Sequence, residues 1–227
     1  MKFALITEGV SEHRIIKHII SKYFKDREPD INQVQPKLVN DKQNDPGGWD
    51  EVLKYCQREE LADIFIENDF LVIQIDTDQS QHNPFNISHT RIDEISGNQI
   101  NKSLEELYND IKAKIQSLID PVILDKYADR IFYAICTHTI ECWLLPIYYT
   151  NSHKTDFSTC IGSLNTQLGK KNISKIPTAT KEKNTPKAIK TYNTILSNWK
   201  KRKDIEDSAL HQYGLDVFLQ SLRKLDQ

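Results

Sequence analysis

Phe70-Leu71-Val72-Ile73-Gln74-Ile75-Asp76-Thr77-Asp78 is the stretch on which the fold turns. The run from Phe70 to Ile75 is almost continuously apolar, as a central parallel strand buried on both faces must be. It stops abruptly at Asp76-x-Asp78, so two carboxylates sit where the strand gives way to a polar turn. Upstream, Lys2–Thr7 reads as a second short buried strand. Gly9 permits a sharp turn, and Ser11 is the expected N-cap of a helix to about Lys25, with Ile15, Ile16, Ile19, Ile20, Tyr23 and Phe24 at helical spacing. Between them, Gln33–Val39 is a weaker strand, and Trp49, Val52, Leu53 and Cys56 predict a helix to about Glu60.

Downstream, Gln79–Gly97 lacks periodicity and reads as a loop or lid beside the strand end. Leu104, Leu107, Tyr108, Ile111, Ile115 and Leu118 mark another helix, Ile131–Cys136 another buried strand, and Ile140–Tyr149 a further helix. Beyond Asn151 no comparable strand follows. Lys187–Trp199 and Leu215–Leu225 read as helices with basic loops between them. Strands alternating with helices predict a mostly parallel sheet covered on both sides, whose ligands bind beyond the carboxyl ends of the strands.

The chain has 227 residues, 38% hydrophobic and 27% charged, which suits a globular domain and argues against a disordered one. No apolar run approaches the roughly 20 residues that span a bilayer, so no membrane partner is expected. Glu8 interrupts the N-terminus too early for a signal-peptide core, and the expected address is cytoplasmic. Cys56, Cys136, Cys142 and Cys160 form no C-x-x-C pair and read as reduced, buried thiols. Cys136, His138, Glu141 and Cys142 all have metal-capable side chains. However, Cys136 ends a strand-like run and Cys142 falls in a helix-like one, so a structural zinc site is the weaker reading.

The net charge of −2 hides a strong asymmetry. Lys170, Lys171, Lys175, Lys181, Lys183, Lys187, Lys190, Lys200, Lys201, Arg202 and Lys203 are accompanied by one acid, Glu182, so this segment is about ten units positive. A solvated helical face would explain it. So would a surface that binds a polyanion by releasing its counterions, with Tyr192 and Trp199 as stacking candidates.

The acids carry the sharper chemistry. Glu8-Gly9-Val10-Ser11-Glu12 and Asp76-x-Asp78 both fall at expected strand ends. At about 4 Å and an effective dielectric near 20, each like-charge contact costs roughly 4 kcal/mol, so four converging carboxylates need a cation. Carboxylates without His or Cys favour Mg²⁺ or Mn²⁺, one ion or two. Glu8 would then act as a general acid or base, or as a ligand to a second ion.

Leu5-Ile6-Thr7-Glu8-Gly9 with Ile73-Gln74-Ile75-Asp76-Thr77-Asp78 resembles the signature of the Toprim domain, the fold shared by topoisomerases, primases, OLD-family nucleases and small nucleases of bacterial anti-phage systems. Glu12 matches the extra acid of OLD-like members, and Thr139-Ile140-Glu141-Cys142-Trp143-Leu144-Leu145 resembles the E-x-W-L helix of small defence proteins. The resemblance implies an α/β, Toprim-like (Rossmann-like), mostly parallel sheet over residues 1–150, with a helical, basic C-terminal extension over 151–227 packed on it. It implies a metal-dependent nuclease of cytoplasmic antiviral defence acting on DNA or RNA. Glu8, Glu12, Asp76 and Asp78 would be metal ligands, joined by Glu141 in catalysis. The implied nucleic-acid-binding residues are Lys170, Lys171, Lys181, Lys183, Lys187, Lys190, Lys200, Lys201, Arg202 and Lys203.

OLD-like enzymes also place a lysine beyond the D-x-D, for which Lys170, Lys171 and Lys187 are candidates. Glu141 on a solvent-facing helix surface is the alternative to a site role. No Tyr stands out as a topoisomerase nucleophile, which favours hydrolysis over strand passage. No G-x-x-x-x-G-K-[ST] is present, so an ATPase or other defence subunit would be a separate chain. A homodimer is a family-level expectation. The competing readings are a glycosyltransferase with a D-x-D, a haloacid-dehalogenase-like phosphatase, and a non-catalytic Toprim-like nucleic-acid-binding or sensor subunit.

Overall fold

The computed structural model describes residues 1–39, 42–43, 45–155, 159–178 and 182–226. Its sheet contains β1 (Lys2–Ile6), β2 (Asp30–Gln35), β3 (Phe70–Asp76) and β4 (Ile131–Cys136), all parallel, in the order β2-β1-β3-β4. The longer helices are α1 (Val10–Tyr23), α2 (Trp49–Cys56), α3 (Leu104–Leu118), α4 (Cys160–Lys170), α5 (Pro186–Leu196), α6 (Arg202–Ala209) and α7 (Tyr213–Arg223). This is an α/β fold in a Rossmann-like arrangement.

The alternation of strand side chains divides the core in two. On one face Phe3, Leu5, Val72, Phe132 and Ala134 pack against Ile15, Ile16, Ile19 and Ile20 of α1, together with residues of α4 to α7. On the other, Ala4, Ile6, Leu71, Ile73 and Ile75 pack against Val52 and Leu53 of α2 and Ile111 and Ile115 of α3. Leu71, Val72, Ile73 and Ile75 are fully buried, each stabilising the fold by about 1.5–3 kcal/mol relative to an exposed side chain. Helix α7 covers the β4 edge. A Cβ on Gly214 would lie 2.0 Å from the Ile135 carbonyl oxygen, so only glycine permits that approach.

Several boundaries depart from the sequence reading. Gly9, not Ser11, occupies the N-cap of α1, because the Ser11 hydroxyl donates to Glu12 Oε2 at 2.8 Å instead of capping the helix. Helix α2 stops at Cys56, and the second strand is Asp30–Gln35 rather than Gln33–Val39. The polar stretch expected as an unstructured loop contains half of an antiparallel ribbon, Thr90–Ile92 against Gln99–Asn101. Ile140–Ile147 is a 3₁₀ segment with Pro146 inside it, where a missing N–H and a fixed φ work against a regular α-helix. Helices α4 and α6 have no counterpart in the sequence pattern.

The cysteines correct a further expectation. Cys142 and Cys160 form a disulfide with Cα atoms 4.9 Å apart, whereas Cys56 and Cys136 are free and buried. With Cys142 committed to Cys160, the zinc reading of Cys136, His138, Glu141 and Cys142 falls. Among the described residues no helix is long and apolar enough to cross a membrane.

Candidate functional site

Strand β1 has its successor β2 on one side and β3 on the other, so the chain reverses its direction of travel across the sheet between β1 and β3. In open α/β sheets the crevice beyond such a reversal is the usual ligand site. Glu8 follows β1 and Asp76 ends β3, so the two acidic motifs flank it.

The motifs touch. The Asp76 backbone N–H donates to Glu8 Oε1 at 2.6 Å. Gln74 ties them further: its Oε1 accepts from the Glu8 N–H at 3.1 Å, and its Nε2 donates to Asp76 Oδ1 at 2.8 Å. Gln74 and Asp76 share a strand face, two residues apart, which is why one side chain can serve both partners. The turn itself is pinned by Thr7, whose N–H and hydroxyl both reach the Gln35 carbonyl. The loop before α2 also closes on Glu8, with the Gly48 N–H donating to the Glu8 carbonyl at 2.7 Å. A Cβ on Gly47 would lie 2.4 Å from that same oxygen.

Glu12 and Glu141 complete the acidic group around a lysine. Lys183 Nζ lies 2.6 Å from Glu141 Oε1 and 3.6 Å from Glu12 Oε1. Glu141 is fully buried, and its Oε1 also accepts the Tyr192 hydroxyl at 2.6 Å. Its Oε2 is buried without a hydrogen bond of normal geometry. A solvent-facing Glu141 is thereby ruled out. Lys183 is 8% exposed, so its assignment to an open nucleic-acid surface is corrected: it is the lysine of the acidic cluster, in place of Lys170, Lys171 or Lys187, which are exposed.

The electrostatics separate the acids into two kinds. Burial raises Glu141, but the adjacent Lys183 charge and the bonds from Lys183 and Tyr192 outweigh it, leaving the carboxyl below its usual range. Burial alone would lower Lys183, yet Glu141, Glu12 and Asp76 hold it charged, above the usual lysine range. Glu8 and Asp76 go the other way. Burial pushes Glu8 up to about 8, helped by the charges of Glu12 and Asp78 and opposed by the bond from Asp76 and by Lys183. Asp76 is raised well above its ordinary value by burial and by Glu8, Glu12 and Glu141. Among the described residues neither Glu8, Asp76 nor Asp78 has an ion-pair partner.

Asp78 is half-buried at the start of the following turn, its Oδ2 accepting from Gln79 Nε2 at 3.3 Å. This turn is fastened to the loop after β4: the Thr77 and Asp78 N–H groups donate to the His138 carbonyl, and the His138 N–H donates to Thr77 Oγ1 at 2.7 Å. His138 adopts a left-handed φ of 64° to make these bonds.

Among the described residues no group of three or more His, Cys, Asp or Glu side chains is placed to hold a metal ion as the side chains stand. The donor chemistry nevertheless fits a hard divalent ion: the groups are carboxylates, two have elevated proton affinity, and three have no cationic partner.

The expected nucleic-acid surface is also redrawn. Lys170, Lys171, Lys187, Lys190, Lys200, Lys201 and Lys203 are exposed, and Lys181 lies outside the described residues. Arg202 is held by Glu206 at 2.9 Å, by Asp226, and by stacking 3.7 Å above the Tyr23 ring, so it serves the fold. Tyr192 and Trp199 are fully buried; one hydroxyl serves Glu141, and the Trp199 Nε1–H donates to Ser208 Oγ, so neither offers a stacking surface.

Sequence reasoning missed the site roles of Gln74 and Lys183. Gln74 had a signal, a polar residue inside an otherwise apolar strand. Lys183 had none, being one cation among many in a polar segment. Compared with protein-family models, curated proteins and solved structures, the chain matches none of them.

Proposed function

We propose that the protein is a Toprim-type, Mg²⁺- or Mn²⁺-dependent nuclease that hydrolyses phosphodiester bonds of DNA or RNA, with bacterial anti-phage defence as its setting. The supporting observation is the gathering of Glu8, Glu12, Asp76 and Glu141 around Lys183 beyond the sheet's crossover point. Glu8, Asp76 and Asp78 are the residues that would hold the ion, because Glu141 and Glu12 already share the single charge of Lys183. Such an ion polarises a phosphoryl oxygen and lowers the pKa of bound water.

The chain's own groups supply the rest. Glu8, raised to about 8, holds a proton near neutral pH that the ion would displace on binding, so occupancy of the site is linked to pH. Gln74 fixes the separation of Glu8 and Asp76 through two hydrogen bonds. Lys183 and Tyr192 keep Glu141 ionised and in place. The exposed lysines of α4, α5 and the α5–α6 connection can follow a phosphate backbone.

One observation favours a second reading, a non-catalytic Toprim-like nucleic-acid-binding or sensor subunit of a defence complex: an internal lysine already pairs with two of the gathered acids, Glu12 and Glu141. Incubation of plasmid, single-stranded DNA, RNA and tRNA with Mg²⁺ or Mn²⁺ separates them. The nuclease reading expects cleavage of at least one substrate and its loss in Asp78→Asn. Binding without cleavage, unchanged by that substitution, would establish the adaptor.

A further inference from the structure

Beside the acidic rim lies a cleft of about 620 Å³ at the carboxyl ends of β3 and β4. Its volume falls within the roughly 300–1,000 Å³ of small-ligand sites. One wall is Thr77, Asp78 and Gln79 after β3, the second is Thr137 and His138 after β4, and the third is Lys102, Leu104 and Leu107 at the start of α3. Asp78 belongs both to this cleft and to the acidic rim, so a molecule seated here adjoins the reaction centre.

The lining has a particular chemistry. Leu104 and Leu107 give an apolar side. Gln79, Gln81 and Asn101 supply amides that can both donate and accept. His89 is held by Ser80 Oγ at 2.7 Å and by the Thr77 carbonyl at 3.1 Å, and the His138 Nδ1 is buried without a partner. Lys102 is the cation of the set, paired with Asp110 at 2.6 Å. One apolar side, imidazoles and amides in one recess match an unpaired nucleobase, whose face packs on apolar surface and whose edge carries donors and acceptors. A duplex offers neither the free faces nor the free pairing edge.

We propose that this cleft receives one unpaired nucleobase of the substrate strand, making single-stranded or locally unpaired nucleic acid the preferred substrate. The inference deepens the nuclease reading and rests on it for the identity of the ligand, but it is tested by binding. Fluorescence anisotropy with labelled single-stranded hexanucleotides of DNA and RNA, and with hairpins of the same composition, measures the preference in Ca²⁺. Leu104→Trp fills the cleft from a half-exposed position, and the pair Gln79→Ala with Asn101→Ala removes amides without adding volume. The expected result is single strands bound at least tenfold more tightly than hairpins, with most of that preference abolished in both variants while circular dichroism stays native. Equal affinity for both forms, no binding of single strands, or a preference that survives both variants would overturn the inference. Cleavage assayed separately in Mg²⁺ or Mn²⁺ tells the two ideas apart. Loss of cleavage with intact single-strand preference removes the nuclease and keeps the cleft, and duplex cleavage without the preference does the reverse.

Discussion

Replacing Lys183 by Met removes a charge while keeping an unbranched chain of similar length. Glu141, fully buried, then keeps the Tyr192 hydroxyl but loses its counter-charge at 2.6 Å. Breaking a buried pair by deleting one partner destabilises by about 3–5 kcal/mol, because the remaining charge stays desolvated. Glu12, whose Oε1 lies 3.6 Å from Lys183 Nζ, loses the same counter-charge, which argues for the upper part of that range. The sign of the pH dependence follows from Glu141. In the native protein its carboxyl lies below the usual range, so its contribution is present above the unfolded pKa and is lost as pH falls through the folded one. Without Lys183, burial dominates and the folded carboxyl moves above the unfolded value, so the variant regains stability as pH falls and Glu141 takes up a proton. Urea unfolding followed by tryptophan fluorescence at pH 7.5 and pH 4.5 should therefore show a large deficit at the first and a smaller one at the second. The double variant Lys183→Met with Glu141→Gln should recover part of the loss. A deficit below about 1 kcal/mol at pH 7.5, or one that does not change with pH, would refute the reasoning.

Three further outcomes follow from the same geometry. Glu8 is raised from 4.5 to about 8, so its contribution to stability is complete below the unfolded value and is lost as pH rises through that window. At about 1.4 kcal/mol per tenfold change in proton affinity, roughly 4–5 kcal/mol is a ceiling, lowered by its partial solvent exposure; Glu8→Gln should flatten this part of the urea pH profile. Gly47→Ala forces a Cβ against the Glu8 carbonyl and should lower both stability, by about 1–3 kcal/mol in thermal melts, and cleavage. Gly162→Ala, where the added Cβ meets nothing within 4 Å, should do neither. Arg202→Ala should lower stability by about 1 kcal/mol and leave oligonucleotide affinity unchanged. Replacing Lys200, Lys201 and Lys203 with Ala should do the reverse in salt titrations, flattening the slope of log K against log salt by about one for each phosphate no longer neutralised.

Strands β1, β3 and β4 were legible because they are buried on both faces, whereas the half-exposed edge strand β2 was misplaced. Phe70–Ile75 and Ile131–Cys136 carry their apolar character without help from any distant residue. The placement of Glu8 and Asp76 followed from it, since residues at the carboxyl ends of neighbouring parallel strands must meet. What escaped depends on partners remote in sequence. Lys183 enters the acidic cluster 42 residues after Glu141, and Arg202 meets Tyr23 across 179 residues, so no local period marks either of them. The pairing of Cys142 with Cys160 was hidden for the same reason, because a 3₁₀ segment and a helix must first be packed together. The Ile140–Ile147 segment misleads more locally: its apolar spacing suits a helix, and Pro146 within it is the residue that decides against one.

The nuclease reading depends above all on Glu8, Asp76 and Asp78 holding a divalent ion. Isothermal titration of Mn²⁺ and Mg²⁺ into the native protein and Asp76→Asn, at pH 7.5 in two buffers of different ionisation enthalpy, decides the point. The expected result is saturable binding that releases protons, because Glu8, raised to about 8, must surrender its proton to the ion, with affinity at least tenfold weaker in the variant. No binding by the native protein, or equal binding without proton release in both, would contradict it.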